Sequence, residues 1–156
     1  MSKSFANVRL SRELSKLQSE SDKIDGITIE TPSDLMVWNA KISGPPETPF
    51  EKGVFDIILR FDTDYPVKPP SVKFLTPMFH PNIYRDGKIC VDILQSSEWT
   101  PAQNIRTILL SIISLLMDPN PASPANREAA ELYNKDQTAY GIKVREFIEA
   151  NKYKTV

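Results

Sequence analysis

The only histidine and the only cysteine of this 156-residue chain, His80 and Cys90, lie ten residues apart in the segment FHPNIYRDGKICVDIL. Histidine and cysteine can form a base and a nucleophile when a third group orients the ring. A cysteine can also exchange acyl groups without such a base, because part of an ordinary thiol population is thiolate at neutral pH. The segment therefore predicts thiol chemistry at Cys90, against the alternative that Cys90 is a small buried apolar side chain.

The residues around the histidine favour a structural ring. His80 stands between Phe79 and Pro81 in a stretch stiffened by proline, where hydrogen bonds from the ring to the loop backbone are expected. Asn82 is the better polar candidate, because a neutral amide can donate to a developing oxyanion without titrating, which lowers a barrier by roughly 3 kcal/mol. The alternative for Asn82 is a side chain that braces the loop, and the two roles are compatible.

Composition limits the class of protein. Lys and Arg number 19 against 20 Asp and Glu, for a formal charge of −1, which argues against a nucleic-acid binder. A single cysteine can form neither an internal disulfide nor a thiolate metal cluster, so we expect no metal site and a reducing compartment, the cytosol or nucleus. No window of about 20 uncharged apolar residues predicts a membrane span. The length predicts one domain over residues 1–156.

Hydrophobic periodicity predicts an α+β fold in which helices pack on one face of an antiparallel sheet. An amphipathic helix is predicted over 4–21, with Phe5 and Leu10 on its apolar side and Arg9, Arg12 and Glu13 on its polar side. Alternating β-rich runs predict a four-stranded meander with short connections. The four strands are expected at 27–30, 35–43, 54–61 and 71–75.

About 25 residues without a sustained period follow the last strand. Loops of this length in a domain are usually functional or disordered, and the apolar content of this one disfavours disorder. Thr100 and Gln103 then fit a capping box for the next helix, with Asn104 as a competing cap, and that helix must end near residue 118. Ser123 is predicted to begin a short helix and Asp136 to cap a last one.

The chain contains HPN with a cysteine eight residues after its asparagine, followed by DIL, a tryptophan and SLLMDPNPASPAN. GPPETPFEKGVFDIILRF and DYPVKPPSVKF lie upstream of HPN. Together these motifs resemble the ubiquitin-conjugating enzymes over about residues 5–150. The resemblance implies a ubiquitin thioester on Cys90, with no cofactor. It also implies that Asn82 stabilises the oxyanion or holds the active-site loop, and that His80 supports that loop.

The resemblance further implies which residues flank the reacting cysteine. Tyr84 and Asp92 flank it, and Ser123 borders the incoming lysine at a position where many members carry Asp. A hydroxyl orients or deprotonates an amine only weakly, so reaction with lysine without a ligase is in question.

The implied partners are ubiquitin, the activating enzyme, a ligase and substrates with an acceptor lysine, bound by a monomer. Val67 replaces an aromatic residue that favours ligases with their own thioester, which favours a RING-type ligase here. The alternatives for these partner residues are a solvated helix face and loop packing. The residues concerned are Arg9, Arg12, Pro66, Val67, Lys68, Trp99, Pro101 and Ala102.

Three other functions remain open at this point. The same site could serve another modifier, such as SUMO or NEDD8. A non-catalytic ubiquitin-binding scaffold of the same fold is disfavoured by the presence of Cys90. A thiol protease or redox enzyme is least favoured, because no second histidine or cysteine completes either site.

Overall fold

A computed structural model describes residues 2–156, of which residues 2–4 are described by their backbone alone. Along these residues, one helix is followed by four strands and then by three further helices. A single 3-10 turn, Asp92–Leu94, lies between the last strand and the second helix. The helices are α1 Ser2–Leu17, α2 Ile105–Met117, α3 Arg127–Lys135 and α4 Gln137–Asn151. The strands are β1 Ile27–Ile29, β2 Val37–Ser43, β3 Val54–Arg60 and β4 Ser71–Phe74. The predicted α+β order is confirmed.

The four strands form an antiparallel meander in which each strand pairs with the next. Ala40 pairs with Ile57, and Ile57 pairs with Phe74, so one register runs across β2, β3 and β4. The predicted inward faces are confirmed, because alternate residues of each strand enter the core. These core residues are Met36, Trp38, Ala40, Ile42, Phe55, Ile57, Leu59, Phe61, Val72 and Phe74.

The first helix buries its predicted apolar side except at Phe5, since Leu10 and Leu17 are buried and Leu14 packs against the core. Leu10 is buried as expected, but Phe5 is exposed, and Ala6 and Glu13 lie in the interior. Helical spacing places Phe5 near the boundary of the apolar face, and only the packing partners decide which side of that boundary is covered.

At the start of α2 the competing cap, Asn104, is the one used, whereas the helix start predicted at Ser123 is wrong. The N-cap of α2 is Asn104, whose Oδ1 accepts from Thr107 N at 2.8 Å while Thr107 Oγ1 accepts from Asn104 N at 3.0 Å. Thr100 instead closes a separate turn, in which its carbonyl accepts from Gln103 N. The reciprocal pair satisfies two donors at the helix end, which Thr100 cannot reach from four residues upstream.

The helix predicted from Ser123 begins later, after Asn126, whose Oδ1 accepts from Ala129 N at 3.0 Å. Two backbone donors ahead of it are already used elsewhere, because Ala125 N and Asn126 N both bond to Pro81 O. Asp136 caps α4 as predicted, through Ala139 N at 3.0 Å.

Glu13 is a buried carboxylate that joins three segments. Its Oε2 accepts from Arg9 Nε at 2.8 Å and from Tyr65 Oη at 2.6 Å, and its Oε1 accepts from Ile105 N at 2.7 Å. The bond to Ile105 satisfies an unpaired donor at the positive end of α2. Burial, together with the bond to Glu13, raises the pKa of Tyr65 far above its usual range. One side chain therefore ties α1 to the loop after β3 and to the start of α2.

Two further side chains strengthen the same junction. Arg9 Nη2 donates to Gln103 O at 2.9 Å and to Pro101 O at 3.3 Å. Trp99 Nε1 donates to Pro66 O at 2.8 Å. The loop before α2 is thus bonded both to α1 and to the loop after β3.

We expect Glu13→Gln to lower the free energy of unfolding by about 3 kcal/mol, because the amide loses the charge for Arg9 and brings donors towards groups that also donate. Urea denaturation at pH 7 measures the change. Glu20→Gln is the matched control, since Glu20 is 90% exposed in a surface pair with Lys23 and such pairs contribute little. An equal loss in both variants would contradict the role of Glu13.

Candidate active site

A small hairpin places Cys90 beside Asn82. Ile83 and Ile89 form an isolated antiparallel bridge, and Tyr84 N donates to Lys88 O at 2.8 Å. One step further, Cys90 N donates to Asn82 O at 2.8 Å. The reversal from Tyr84 to Gly87 therefore brings the cysteine back against the HPN segment.

The hairpin is docked on the edge of the sheet through a glycine. Gly87 has φ +92, and its carbonyl accepts from Phe74 N at 2.9 Å. A Cβ at Gly87 would lie 1.9 Å from Phe74 O. This close approach and the positive φ require glycine at the turn.

The imidazole of His80 is fully buried, at 0% exposure, and both ring nitrogens bond to backbone. Nδ1 accepts from Asn82 N at 2.9 Å, so the neutral ring carries its hydrogen on Nε2, which donates to Leu115 O at 2.7 Å. Burial lowers the pKa of His80 to about 4, although the Leu115 carbonyl raises it in part. The ring is neutral at pH 7, and neither nitrogen is free to take a proton from Cys90.

The side chain of Asn82 is 1% exposed and uses all of its principal hydrogen-bonding groups. Nδ2 donates to Asn120 O at 2.7 Å and to Ser123 O at 3.1 Å, while Oδ1 accepts from Asn120 N at 2.8 Å. In this state the amide braces the segment that precedes α3. Donation to an oxyanion stays a prediction, and it requires Nδ2 to release or share one of these carbonyls.

Backbone contacts complete the brace. Pro81 O accepts from Ala125 N at 2.7 Å and from Asn126 N at 3.0 Å. Four residues of the segment 118–126, namely Asn120, Ser123, Ala125 and Asn126, are therefore bonded to Pro81 and Asn82 of the HPN motif. We call this segment the braced loop.

The remaining predicted site residues lie on the open side of this arrangement. Cys90 is half-buried, and Asp92 opens the 3-10 turn two residues later as an exposed side chain. Tyr84 is 46% exposed on the hairpin turn, and Ser123 is exposed on the braced loop. The geometry leaves the thiol on a rigid, open surface between two irregular segments.

The partners that hold the site lie in the HPN and SLLMDPNPASPAN motifs, but the motifs did not indicate which groups bond to one another. Asn120, Leu115 and Pro81 contribute backbone groups, which any residue type carries, so the sequence could not single them out. Among residues 5–156, no group of three or more His, Cys, Asp or Glu side chains could hold a metal ion. Over the described chain, no helix is both long and apolar enough to cross a bilayer.

The predicted partner residues lie on α1, on the loop after β3 and on the loop before α2. Val67 is 72% exposed, and Lys68 forms a surface pair with Asp64 at 3.4 Å. Arg12 is exposed on α1, whereas the polar groups of Arg9 and Trp99 form hydrogen bonds in the junction described above. Pro101 and Ala102 are exposed, and Pro66 accepts the bond from the indole.

Fold and site together define an α+β protein that presents one cysteine beside a braced loop, with both nitrogens of its one histidine bonded to backbone groups. The sequence profile of the family described as "Ubiquitin-conjugating enzyme" matches residues 9–148. Proteins named "Ubiquitin-conjugating enzyme E2 2" are similar along most of their length. The one from Candida glabrata is 50% identical over 145 residues, 92% of this chain and 85% of that protein.

Two further relatives carry the same name. That of Saccharomyces cerevisiae is 48% identical over 92% of this chain and 83% of its own length. That of Neurospora crassa is 46% identical over 92% of this chain and 94% of its own. The chain belongs to the ubiquitin-conjugating enzyme family. It is a transferase of ubiquitin that acts through a cysteine thioester, with ubiquitin, an activating enzyme and ligases as its general partners.

We expect His80 to titrate near pH 4 in the folded protein, well below its ordinary value of 6.5. The unfolded chain then binds the proton first, so the stability from this residue is complete above about pH 6.5 and is lost as the pH falls towards 4. Between pH 7 and pH 5 the loss is about 2 kcal/mol.

Ring resonances in NMR spectra need no assignment, because the chain has one histidine. Urea denaturation of wild type and His80→Asn at each pH isolates the energetic part, and the variant should show a flatter profile. A folded-state midpoint near 6.5 would contradict the burial of a neutral ring.

Proposed function

We propose that Cys90 accepts the ubiquitin C-terminus from the activating enzyme and transfers it to a substrate lysine together with a RING-type ligase. One observation carries the assignment of this residue: the only cysteine of the chain lies half-buried on the open side of the braced site. The family acts through a cysteine thioester, and no other thiol is present to form it.

Transfer needs little from the enzyme besides position and charge stabilisation. The lysine amine attacks the thioester carbonyl, and negative charge develops on the carbonyl oxygen. Asn82 is the neutral donor proposed for this charge, since its backbone carbonyl accepts the Cys90 N–H at 2.8 Å and so holds the two residues together. The neutral His80 supports the loop and leaves proton removal to solvent or to groups near the incoming amine.

Three exposed side chains surround the approach of the acceptor lysine: Tyr84, Asp92 and Ser123. Asp92 supplies a carboxylate two residues from the thiol, whereas Ser123 offers a hydroxyl. We propose that they position the acceptor, with weak reactivity towards lysine until a ligase binds.

The ligase is proposed to bind across α1, the loop after β3 and the loop before α2, and the activating enzyme to use α1. The bonds of Arg9 and Glu13 support this assignment, because they hold all three segments in one fixed surface. Val67 projects from that surface as an exposed aliphatic side chain. In this proposal the exposed guanidinium of Arg12 provides the positive charge of that surface.

The setting of the enzyme follows from composition. A single cysteine and a formal charge of −1 support one catalytic domain that acts as a monomer in the cytosol or nucleus, away from nucleic acid and membrane.

A charging assay tests the proposal. Wild-type protein with activating enzyme, ATP and ubiquitin should give an adduct that reductant removes, and Cys90→Ser should give at most an ester that resists reductant. Parallel reactions with SUMO and NEDD8 machinery should leave the protein uncharged. The assignment is wrong if wild type forms no reductant-sensitive adduct with ubiquitin.

We expect Asn82→Ala to charge at a near-normal rate but to discharge to free lysine about 100-fold more slowly, since an oxyanion donor contributes about 3 kcal/mol. The loop should loosen as well, with faster hydrogen exchange at the Asn120 amide. Asn134→Ala, at an exposed position of α3, is the matched control. Faster exchange with an unchanged discharge rate would limit Asn82 to bracing.

A further inference from the structure

A cleft lies between the loop that joins β2 to β3 and the C-terminal half of α4. Residues within 48–55 and 145–152 line it, together with Thr76. Its volume is about 670 Å³, which is within the range of ligand pockets. None of the lining residues belongs to the candidate active site or to the proposed ligase surface.

Part of the cleft is apolar, because the side chains of Val54, Phe55 and Ile148 line it. Val54 is 60% exposed at the start of β3. A Cβ at Gly53 would lie 2.3 Å from Phe55 Cζ, so the aromatic ring covers the backbone of Gly53. The cleft therefore offers an exposed aliphatic side chain beside a covered ring, which suits one apolar side chain of a ligand.

The loop that forms one wall of the cleft is held by its own hydrogen bonds. Gly44 N donates to Gly53 O at 2.8 Å, and Gly53 N donates to Phe50 O at 2.9 Å. Thr48 Oγ1 donates to Pro45 O at 2.7 Å. A ligand need not order this wall when it binds, which favours affinity.

Five charged side chains line the cleft, and two of them are available to a ligand. Glu51 Oε1 accepts from a backbone N–H of its own loop at 2.8 Å, and Glu149 Oε1 accepts from Lys152 Nζ at 2.8 Å. By contrast, neither Lys52 nor Arg145 forms an ion pair with any side chain that the structure describes, over 5–156. The cleft therefore presents one uncommitted cation on the loop and one on α4.

The guanidinium of Arg145 lies close to the loop. A Cβ at Gly141 would lie 3.5 Å from both Nη1 and Nη2 of Arg145 and 3.6 Å from Pro49 Cγ. The planar guanidinium can bind a carboxylate through two parallel hydrogen bonds. Along α4, Arg145 and Lys152 are about 10 Å apart, which is the length of about three residues in an extended peptide.

We propose that this cleft binds an acidic segment of a partner protein, about three residues in extended form with one large apolar side chain. Carboxylates of the segment pair with Lys52 and Arg145, and the apolar side chain contacts Val54 and Ile148. Binding of this kind goes beyond the proposed function, because it needs no thioester on Cys90.

The cleft and the proposed ligase surface lie at opposite ends of β3. The strand begins at Val54, in the cleft, and ends at Arg60, before the loop that carries Val67. Its seven residues give it a length of about 20 Å. An acidic segment in the cleft therefore leaves the proposed ligase surface open, and both partners can bind at once.

Binding of labelled peptides, followed by fluorescence anisotropy, tests the proposal. The probe is a fluorescein-labelled peptide of one phenylalanine flanked on each side by three glutamates. We expect saturable binding that weakens as the salt concentration rises, with NMR amide shifts concentrated at Gly53, Val54 and Glu149. Peptides with alanine for the phenylalanine, or with glutamine for the glutamates, should bind at least tenfold more weakly.

The double variant Lys52→Gln and Arg145→Gln should bind the probe at least tenfold more weakly than wild type. The matched control is Arg127→Gln with Lys135→Gln, which removes the same two charges from exposed positions of α3 and should bind as wild type does.

Four results would overturn the inference. They are no saturable binding of the probe, equal binding of the glutamine peptide, equal losses in the two double variants, and amide shifts outside the cleft. Sedimentation of the free protein tests a second copy of the chain as the occupant. A dimer that dissociates only in the cleft double variant would assign the cleft to self-association and also overturn the inference.

Discussion

The hydrogen bonds between the HPN motif and the braced loop are the constraint on which the position of Cys90 depends. Neither segment has regular secondary structure to satisfy its backbone groups, and buried groups of this kind must find partners. Asn82 and Pro81 supply them for Asn120, Ser123, Ala125 and Asn126. Because Cys90 N bonds back to Asn82 O, the same network fixes the cysteine.

Prolines lower the free-energy cost of ordering these two irregular segments. A proline has no backbone donor and restricts φ, so a proline-rich irregular segment leaves fewer groups to satisfy and loses less entropy on folding. Five of the 13 prolines lie where the two segments meet, around HPN and in DPNPASP. The result is a rigid surface in a region that would otherwise be a mobile loop.

A charged side chain has the same role at the junction of α1, the loop after β3 and the start of α2. Glu13 satisfies the first donor of α2, the Tyr65 hydroxyl and the Arg9 guanidinium, just as Asn82 satisfies the braced loop. Both side chains are polar and buried, and both join segments far apart in sequence. An acyl carrier benefits from this rigidity, since its reactivity depends on where the thioester carbonyl is held.

The sequence by itself determined the sheet, the inward faces of its strands and the single cysteine on which the thiol prediction rests. Each is a property of local spacing or of a unique residue type. Only the tertiary structure decided that Glu13 is buried, that Phe5 is exposed, that Asn104 and not Thr100 caps α2, and that Asn126 caps the helix predicted to start at Ser123.

The structure also decided the tautomer of His80 and the partners of Asn82. The Nε2 bond of His80 and the side-chain bonds of Asn82 join residues 35 to 41 positions apart, largely through backbone groups that every residue carries. Local periodicity contains no information about such pairs, because they exist only after the segments have packed.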